Sequence, residues 1–233
     1  MTSELVTVDT TPISVHRPDG APKGAIVVIQ EAFGVNEHIE DVAGRFAALG
    51  WFTVVPHLFH RTGDPTLPYD DFPQVMPHMK ELRAEQILAD VDAALSVVAG
   101  EGIDLDHTGV VGFCMGGTVT LAVACRRDVG AAVTFYGSGI VQGRFGFEPL
   151  LDEVTGLRAP WLGLYGDLDQ GIPVDQVEQL RSATAATDHD TEVVRYPEAG
   201  HGFHCDRRSD YEPTSAADAW ARTIAWFDQH LLG

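Results

Sequence analysis

The sequence contains few basic residues. Its 233 residues include 15 Lys and Arg against 34 Asp and Glu, which gives a formal net charge of −19. Affinity for nucleic acid depends on many contacts between Lys or Arg and phosphates, so this balance argues against nucleic-acid binding. Attraction to an anionic membrane surface needs the same basic side chains. The sequence therefore predicts a partner that is neither a nucleic acid nor a membrane.

Cysteine is also scarce, with Cys114, Cys125 and Cys205 far apart in the chain. An odd number of widely spaced cysteines indicates neither a disulfide framework nor a C-x-x-C site, and a reducing compartment is the simplest interpretation. The N-terminal sequence MTSELVTVDT lacks the basic start and the apolar segment of a signal peptide. No apolar run reads as a membrane span. We therefore expect a cytoplasmic protein.

Strand-like and helix-like segments alternate along the chain. Short apolar runs predict strands at Ala25–Ile29, Trp51–Val55, Val110–Phe113, Ala131–Tyr136, Trp161–Tyr165 and Glu192–Tyr196, after an N-terminal hairpin formed by Leu5–Val8 and Ile13–His16. Apolar periodicity predicts helices at residues 38–49, 79–99, 116–125 and 173–186, and a last helix from Ser215, with Trp220, Ile224, Phe227 and Leu231 as its buried stripe. Ser215 and Asp218 have capping-box spacing there. Residues 57–78 contain four prolines and predict a long loop.

Alternating strands and helices imply an α/β fold, with a mostly parallel central sheet and helices on both faces. No linker-like stretch divides the chain, so residues 1–233 are expected to form a single domain without a large cap domain. Ligands of such sheets bind at the carboxyl ends of the strands. The functional residues are therefore expected in the loops that follow the strands.

The strongest local motif is Gly112-Phe113-Cys114-Met115-Gly116-Gly117, which follows a strand and begins a helix. Small residues on both sides of a nucleophile are typical of the tight strand-to-helix turn called a nucleophile elbow. A thiol at a helix N-terminus gains thiolate character from the free amides and the helix dipole. The alternative interpretation is a buried cysteine in a glycine-rich packing turn.

Two further motifs follow later strands. Asp167 and Asp169 come after the strand that ends at Tyr165, and His201 comes after the strand that ends at Tyr196. Nucleophile, acid and histidine occur in this chain order in α/β-hydrolases. Histidine would accept the thiol proton and later protonate the leaving alcohol, while an aspartate would orient the ring. Either aspartate fits this pattern.

The sequence resembles the dienelactone hydrolases, or carboxymethylenebutenolidases, which have the α/β-hydrolase fold. The resemblance covers nearly the whole chain. It rests on Gln30-Glu31-Ala32-Phe33-Gly34-Val35-Asn36, on Gly112–Gly117, on the Asp169–Pro173 loop and on Glu198–Phe203. The first motif is specific, because ordinary serine esterases do not carry a Gln-Glu pair at that position.

The resemblance implies roles for individual residues. Cys114, Asp169 and His201 would form the triad, and Asp169 is favoured because a proline stands four residues after it. Glu31 would contact the thiol, accept its proton when substrate binds and protect the resting cysteine from oxidation. The backbone amides of Met115 and Ala32 would form the oxyanion hole. The reaction would be hydrolysis of a small-molecule lactone or ester through a thioester, with no cofactor.

The sequence departs from the family in its arginines. Family members bind the substrate carboxylate with two arginines. The region that matches the first, residues 70–80, contains no arginine in this chain. The positions that match the second hold His204 and Cys205. Arg207 and Arg208 are the nearest candidates, and Arg61 or Arg83 are alternatives. The aromatic residues Tyr136 and Phe33 are further candidates for substrate binding.

Other interpretations remain open at this point. His57 with His60, and His201 with His204, have the spacing H-x-x-H, which alone is weak support for a metal site, and we expect none. A broad small-ester carboxylesterase would use the same triad. A non-enzymatic binding or redox-sensing module would retain a reactive Cys114 without turnover. Cys205 either lines the pocket or faces the core.

Overall fold

The structure, a computed structural model, describes residues 3–233. Its strands are β1 (Glu4–Val8), β2 (Thr11–His16), β3 (Ala25–Ile29), β4 (Phe52–Pro56), β5 (Thr108–Phe113), β6 (Ala131–Phe135), β7 (Trp161–Gly166) and β8 (Thr191–Tyr196). Its helices are α1 (Glu37–Ala48), α2 (Phe72–Glu81), α3 (Ala84–Gly100), α4 (Met115–Arg126), α5 (Val174–Thr184) and α6 (Pro213–Leu231). Short 3₁₀ turns lie at His60–Thr62, Leu105–His107, Leu150–Asp152 and Val154–Gly156.

The strands form one sheet in the order β1-β2-β4-β3-β5-β6-β7-β8. Strands β3 to β8 are parallel, and the hairpin of β1 and β2 joins antiparallel at the β4 edge. Every residue of β3, β5 and β6 is buried, as expected for central strands that are covered on both faces. The predicted α/β fold with a mostly parallel sheet is confirmed.

Helices cover both faces of this sheet. Helices α1 and α6 lie on one face, where Phe46 packs against Trp220 with ring centroids 4.7 Å apart. Helices α3, α4 and α5 cover the other face. The connection from β6 to β7, residues 136–160, contains only two 3₁₀ turns, and no separate cap domain is found within residues 3–233. None of the helices in that range is long and apolar enough to cross a membrane.

The predicted loop over residues 57–78 is wrong in its second half, which belongs to helix α2. Pro73 lies in the first turn of α2, where a missing N–H costs no helical hydrogen bond. Pro77 lies inside the helix, a position that normally argues against one. The predicted helix at 79–99 is also two helices, because the backbones of Leu82 and Arg83 are extended and separate α2 from α3.

The start of the last helix is corrected as well. Helix α6 begins at Pro213, and its N-cap is Glu212, whose carboxylate accepts hydrogen bonds from the amides of Thr214 and Ser215. The expected capping partner Asp218 instead accepts hydrogen bonds from Tyr196 and Arg222. The buried face of helix α6 is centred on small residues. Trp220 and Ile224, which the sequence predicts in the buried stripe, are only partly buried.

Candidate active site

Cys114 stands on a strained turn between β5 and α4. Its backbone has φ 55° and ψ −115°, a left-handed φ that residues other than glycine seldom adopt. The Cys114 amide donates to the Phe135 carbonyl at 3.1 Å, and the helix begins at the next residue, Met115. Such strain persists only where the surrounding structure enforces it, and it is concentrated at functional sites.

The neighbouring glycines make this turn possible. A Cβ on Gly112 would lie 2.1 Å from the carbonyl oxygen of Gly116, and one on Gly116 would lie 2.3 Å from that of Ile29. A Cβ on Gly117 would lie 2.5 Å from the Phe135 carbonyl oxygen. Any larger side chain would therefore push α4 away from the sheet. The glycine-rich motif is a steric requirement for placing Cys114 at the end of the strand.

Three side chains from three loops meet at the carboxyl ends of the strands. The Nε2 of His201 lies 3.0 Å from the Sγ of Cys114, and its Nδ1 lies 2.6 Å from Oδ2 of Asp169. The other oxygen of Asp169 accepts a hydrogen bond from the Gly171 amide at 2.8 Å. This is the spacing expected of a nucleophile, a base in contact with it and a carboxylate that orients the base.

The structure also distinguishes the two candidate aspartates. Both oxygens of Asp167 accept hydrogen bonds from the guanidinium of Arg195, each at 2.7 Å. The Asp169 side chain is 2% exposed and faces His201. Asp169, rather than Asp167, is the carboxylate that contacts the histidine.

The close contact changes the protonation of both partners. Burial disfavours the charged imidazolium, but the Cys114 thiolate and the Asp169 carboxylate outweigh it and raise the pKa of His201 to about 10. Burial likewise disfavours the thiolate, but the charge and the hydrogen bond of His201 outweigh it and lower the pKa of Cys114. The pair therefore favours a thiolate beside an imidazolium.

The Glu31 side chain has no exposed surface. Its Oε1 lies 3.4 Å from Nη1 of Arg208, and its Oε2 has no hydrogen-bond partner in residues 3–233. The expected contact between Glu31 and the thiol is not made, because Cys114 is paired with His201 and Glu31 with Arg208. Glu31 acts on Cys114 through its charge, which raises the thiol pKa, whereas Arg208 lowers it.

The two amides expected to form the oxyanion hole are free. Within residues 3–233, the amides of Met115 and Ala32 donate to no protein acceptor. Ala32 and Cys114 line the same cavity, and Met115 is the first residue of α4. Unpaired amides at a helix N-terminus beside a nucleophile are suited to stabilising a developing negative charge.

The cavity above Cys114 has a volume of about 350 Å³. Much of its wall is apolar and comes from loops and from helix α2: Phe72, Met79, Phe145, Leu168 and Ile172. Its charged and polar lining includes Ser138, Arg144 and Asp210 besides Asp169 and His201. Sequence reasoning missed Ser138 and Arg144, which lie in an irregular glycine-rich segment without periodicity. Their only signal was a position in the loop after β6.

The arginines expected to bind substrate lie elsewhere. Arg207 is 58% exposed, pairs with Glu37 and borders a separate surface groove. Arg208 is 15% exposed and lies over the rings of Phe33 and Tyr69, outside the lining of the cavity. Its charged contacts are with Glu31, at 3.4 Å, and with Asp210, which lines the cavity, at 3.6 Å.

The alternative arginines do not supply the missing contact either. Arg61 forms a bidentate pair with the buried Asp90. Arg83 donates to the carbonyls of Lys80 and Leu82. Neither side chain lines the cavity above Cys114.

The two aromatic residues expected to bind substrate, Tyr136 and Phe33, are buried next to the site. The Tyr136 ring lies 5.1 Å from the His201 ring, and its hydroxyl has no hydrogen-bond partner in the described chain. Phe33 is 3% exposed and packs on Tyr69. Tyr136 and Phe33 shape the surroundings of His201 and Arg208, and neither lines the cavity.

The histidine pairs with H-x-x-H spacing do not converge. His57 contacts Ser14 and Asp64, and His60 contacts Asp90. His204 is buried and stacks on Phe113 at 5.2 Å, away from the polar contacts of His201. Residues 3–233 contain no group of three or more His, Cys, Asp and Glu side chains that could hold a metal ion.

Cys205 faces the core. Its exposed fraction is 0%, and it is absent from the lining of the cavity. Burial and the charge of Glu31 raise the pKa of Cys205 to about 11. Of the two positions considered for this thiol, the structure has the core-facing one.

Comparison with known proteins identifies the family. The model of the dienelactone hydrolase family matches residues 13–231. A protein from Escherichia coli O157:H7 named "Putative carboxymethylenebutenolidase" is 38% identical over 229 residues, covering 95% of this chain and 83% of its own. One of the same name from Methylorubrum extorquens is 39% identical over 216 residues, covering 91% and 74%.

A solved structure is similar over nearly the full length. The crystal structure titled "Putative Dienelactone Hydrolase" from Klebsiella pneumoniae subsp. pneumoniae MGH 78578 superimposes with a TM-score of 0.89 at 36% identity, covering 98% of each chain. The chain belongs to the dienelactone hydrolase family, has the α/β-hydrolase fold and is a carboxylic ester hydrolase.

Proposed function

We propose that this member of the dienelactone hydrolase family cleaves a small lactone or ester with Cys114 as the nucleophile. The observation that carries the proposal is the continuous contact from Cys114 through His201 to Asp169, at 3.0 and 2.6 Å. It stands at the floor of a cavity large enough for a small molecule. Nucleophile, base and orienting acid therefore share one substrate-sized space.

In the first half of the reaction, the Cys114 thiolate attacks the substrate carbonyl carbon. The carbonyl oxygen becomes an oxyanion, which accepts hydrogen bonds from the amides of Met115 and Ala32. When the C–O bond breaks, His201 donates its Nε2 proton to the departing alkoxide, and the acyl group remains on sulfur as a thioester. With a lactone, the alcohol stays attached to the acyl group, because the ring opens.

In the second half, neutral His201 accepts a proton from a water molecule, and the resulting hydroxide attacks the thioester. The same amides stabilise the second tetrahedral intermediate. Its collapse releases the carboxylic acid and restores the thiolate beside the imidazolium. Asp169 holds the ring in orientation throughout and stabilises its positive charge.

The direct test is the Cys114→Ala variant, assayed on p-nitrophenyl acetate and on a dienelactone. We expect turnover to fall by several orders of magnitude, as when a triad nucleophile is removed. Cys125→Ala, in helix α4 that follows Cys114, is the matched control and should retain wild-type turnover. A Cys114→Ala enzyme with more than about a tenth of wild-type kcat would show that Cys114 is not the nucleophile.

Two further readouts define the reaction. Acid quench of the wild-type enzyme during ester turnover, followed by mass spectrometry, should detect the acyl group on the peptide that contains Cys114. The substrate pair separates a lactonase from a broad small-ester carboxylesterase, since the latter would hydrolyse p-nitrophenyl acetate alone. Alkylation of Cys114 with no turnover of either substrate would instead support a binding or redox-sensing module.

A further inference from the structure

Two large apolar side chains of the cavity above Cys114 are unusually exposed. Within residues 3–233, ten of the eleven phenylalanines are at most 8% exposed, whereas Phe72 is 46% exposed. Leu168 is 54% exposed. A single exposed apolar side chain needs no explanation, but these two line the same cavity. Together they form an apolar surface that a ligand in the cavity would cover.

Other exposed apolar side chains lie on the segments that supply this cavity. Tyr211 directly follows the lining residue Asp210. Val141 lies in the loop after β6, between the lining residues Ser138 and Phe145. The remaining exposed large apolar residues lie on other segments, and they are Leu5, Leu49, Leu105 and Leu232. Exposed apolar surface is therefore concentrated around the cavity.

The rest of the apolar lining is buried and fixed in place. Met79, Phe145 and Ile172 also line the cavity, and each is at most 9% exposed. The Leu168 amide donates to the Ala199 carbonyl at 2.9 Å, which holds the backbone of that loop. Phe72 is the first residue of helix α2, which also carries Met79. The apolar surface is thus built on defined backbone and is ready to receive a ligand.

The cations near Cys114 are matched by anions of the protein. These groups are Arg208 with Glu31 and Asp210, and His201 with Asp169 and Cys114. A further cation in the lining, Arg144, is exposed, so solvent screens its charge. An acidic substrate would therefore find no surplus of positive charge at this site.

Helix α2 replaces an expected charged contact with an apolar one. The family resemblance places a substrate-binding arginine in residues 70–80, where this chain has none. From the same range, Phe72 and Met79 reach the cavity. This side of the cavity is therefore suited to an uncharged part of a substrate.

We propose that Phe72 and Leu168 bind an alkyl group of the substrate and make this enzyme selective for uncharged esters over acidic ones. Each methylene that leaves water for full apolar contact can raise kcat/KM about fourfold. A carboxylate in the same place would lose its hydration without a compensating partner. The substrate class is a neutral ester or lactone with a short alkyl group on its acyl or alcohol side. This inference rests on the proposed function, since it places that group relative to Cys114.

The first test uses two pairs of neutral esters. p-Nitrophenyl hexanoate against the acetate varies the acyl side, and hexyl acetate against methyl acetate varies the alcohol. In at least one pair, wild-type kcat/KM should be about tenfold higher for the longer ester. Phe72→Ala and Leu168→Ala should each lower that ratio about threefold or more. Leu105→Ala is the matched control, because Leu105 is 38% exposed and lies outside the cavity, and its ratio should stay within about twofold of wild type.

The second test concerns charge. p-Nitrophenyl valerate and mono-p-nitrophenyl glutarate have chains of similar length, and the glutarate ends in a carboxylate where the valerate ends in a methyl group. Wild-type kcat/KM should be about tenfold or more higher for the valerate. A preference for the glutarate would overturn the inference. So would ratios in both ester pairs that are the same in wild type, Phe72→Ala and Leu168→Ala.

A binding measurement separates this inference from the proposed mechanism. In the Cys114→Ala background, ligand-observed NMR titration with the amide N-butylbutyramide gives a Kd without ester cleavage. That Kd should rise about threefold or more when Phe72→Ala is added and stay unchanged when Leu105→Ala is added. An unchanged Kd in Phe72→Ala and in Leu168→Ala would overturn the inference, whatever Cys114 does. A Kd that depends on Phe72, in an enzyme that turns over without Cys114, would keep this inference and reject the nucleophile.

Discussion

The guanidinium Nη1 of Arg208 lies 3.4 Å from the Oε1 of Glu31, a carboxylate with no exposed side-chain surface. A buried carboxylate without a cation would be costly, and Arg208 is the cation that lies beside Glu31. The two residues act on the Cys114 thiol in opposite directions, since Glu31 raises its pKa and Arg208 lowers it. This buried pair is therefore placed to adjust the reactivity of the Cys114 thiol.

Glu31→Gln should make the resting thiol more reactive. Removing the negative charge removes the effect that raises the Cys114 pKa, so the thiolate persists to lower pH. We expect the midpoint of the pH profile for inactivation by iodoacetamide to fall, and peroxide to inactivate the variant faster. Glu37→Gln is the control, because the Glu37 side chain is 85% exposed. A midpoint that is unchanged or higher in Glu31→Gln would contradict this account.

Arg208→Met should destabilise the protein by about 3 kcal/mol, because it leaves Glu31 buried and unpaired. Urea unfolding measures this free energy. Adding Glu31→Gln to Arg208→Met should recover most of the loss, since the double variant buries no uncompensated charge. If the two single effects simply add, the pair is not coupled and the assignment fails.

Asp169→Asn should change the pH profile as well as the rate. The Asp169 carboxylate helps to hold the pKa of His201 at about 10, and in the proposed mechanism protonated His201 donates to the leaving alcohol. Without that carboxylate, the pKa falls and the alkaline limb of the kcat/KM profile moves to lower pH. We also expect kcat to fall by roughly 10²–10⁴.

The neighbouring carboxylate provides the control for that experiment. Asp167→Asn removes a surface contact with Arg195 and should leave both the profile and kcat within about twofold of wild type. A loss in Asp167→Asn as large as that in Asp169→Asn would mean that the two aspartates act together in the reaction.

The three cysteines should differ sharply in reactivity. Burial and nearby carboxylates raise the pKa of Cys125 to about 12 and that of Cys205 to about 11, whereas His201 lowers that of Cys114. Brief treatment of native protein with iodoacetamide near neutral pH should therefore add one label, and urea should allow three. Intact mass spectrometry counts the labels. In Cys114→Ala the native count should drop to zero, and one label on that variant would reveal a second reactive thiol.

The strained turn at Cys114 could be predicted from sequence because its constraints are local. Gly112, Gly116 and Gly117 sit within a few residues of Cys114, and each is required by a backbone contact that a Cβ would obstruct. The histidine and the aspartate were found because each follows a strand, and the ends of parallel strands meet at one edge. The choice between Asp167 and Asp169 rested on resemblance to the family, since the sequence spacing alone does not say which carboxylate contacts the histidine.

The substrate side of the cavity could not be predicted in the same way. Arg207 and Arg208 are adjacent in sequence, yet one is 58% exposed and the other 15%, because successive side chains in a turn point in different directions. The four prolines of residues 57–78 predict a loop where most of helix α2 lies, and α2 brings Phe72 to the cavity. Local propensity was overridden by packing in α2.

A pair of glycine substitutions tests the steric basis of the strained turn at Cys114. Both Gly116 and Gly44 are helical, so alanine at either position gains about 0.5–1 kcal/mol of helix propensity. At Gly44 the added Cβ meets nothing within 4 Å, and we expect that gain as increased stability to urea. At Gly116 the Cβ would lie 2.3 Å from the Ile29 carbonyl oxygen, so α4 must shift and the protein should lose about 3 kcal/mol or more. Because α4 carries Cys114 at its start, esterase activity should fall in Gly116→Ala and not in Gly44→Ala. Equal stability and equal activity of the two variants would show that close approach of α4 to β3 is not what requires glycine in this motif.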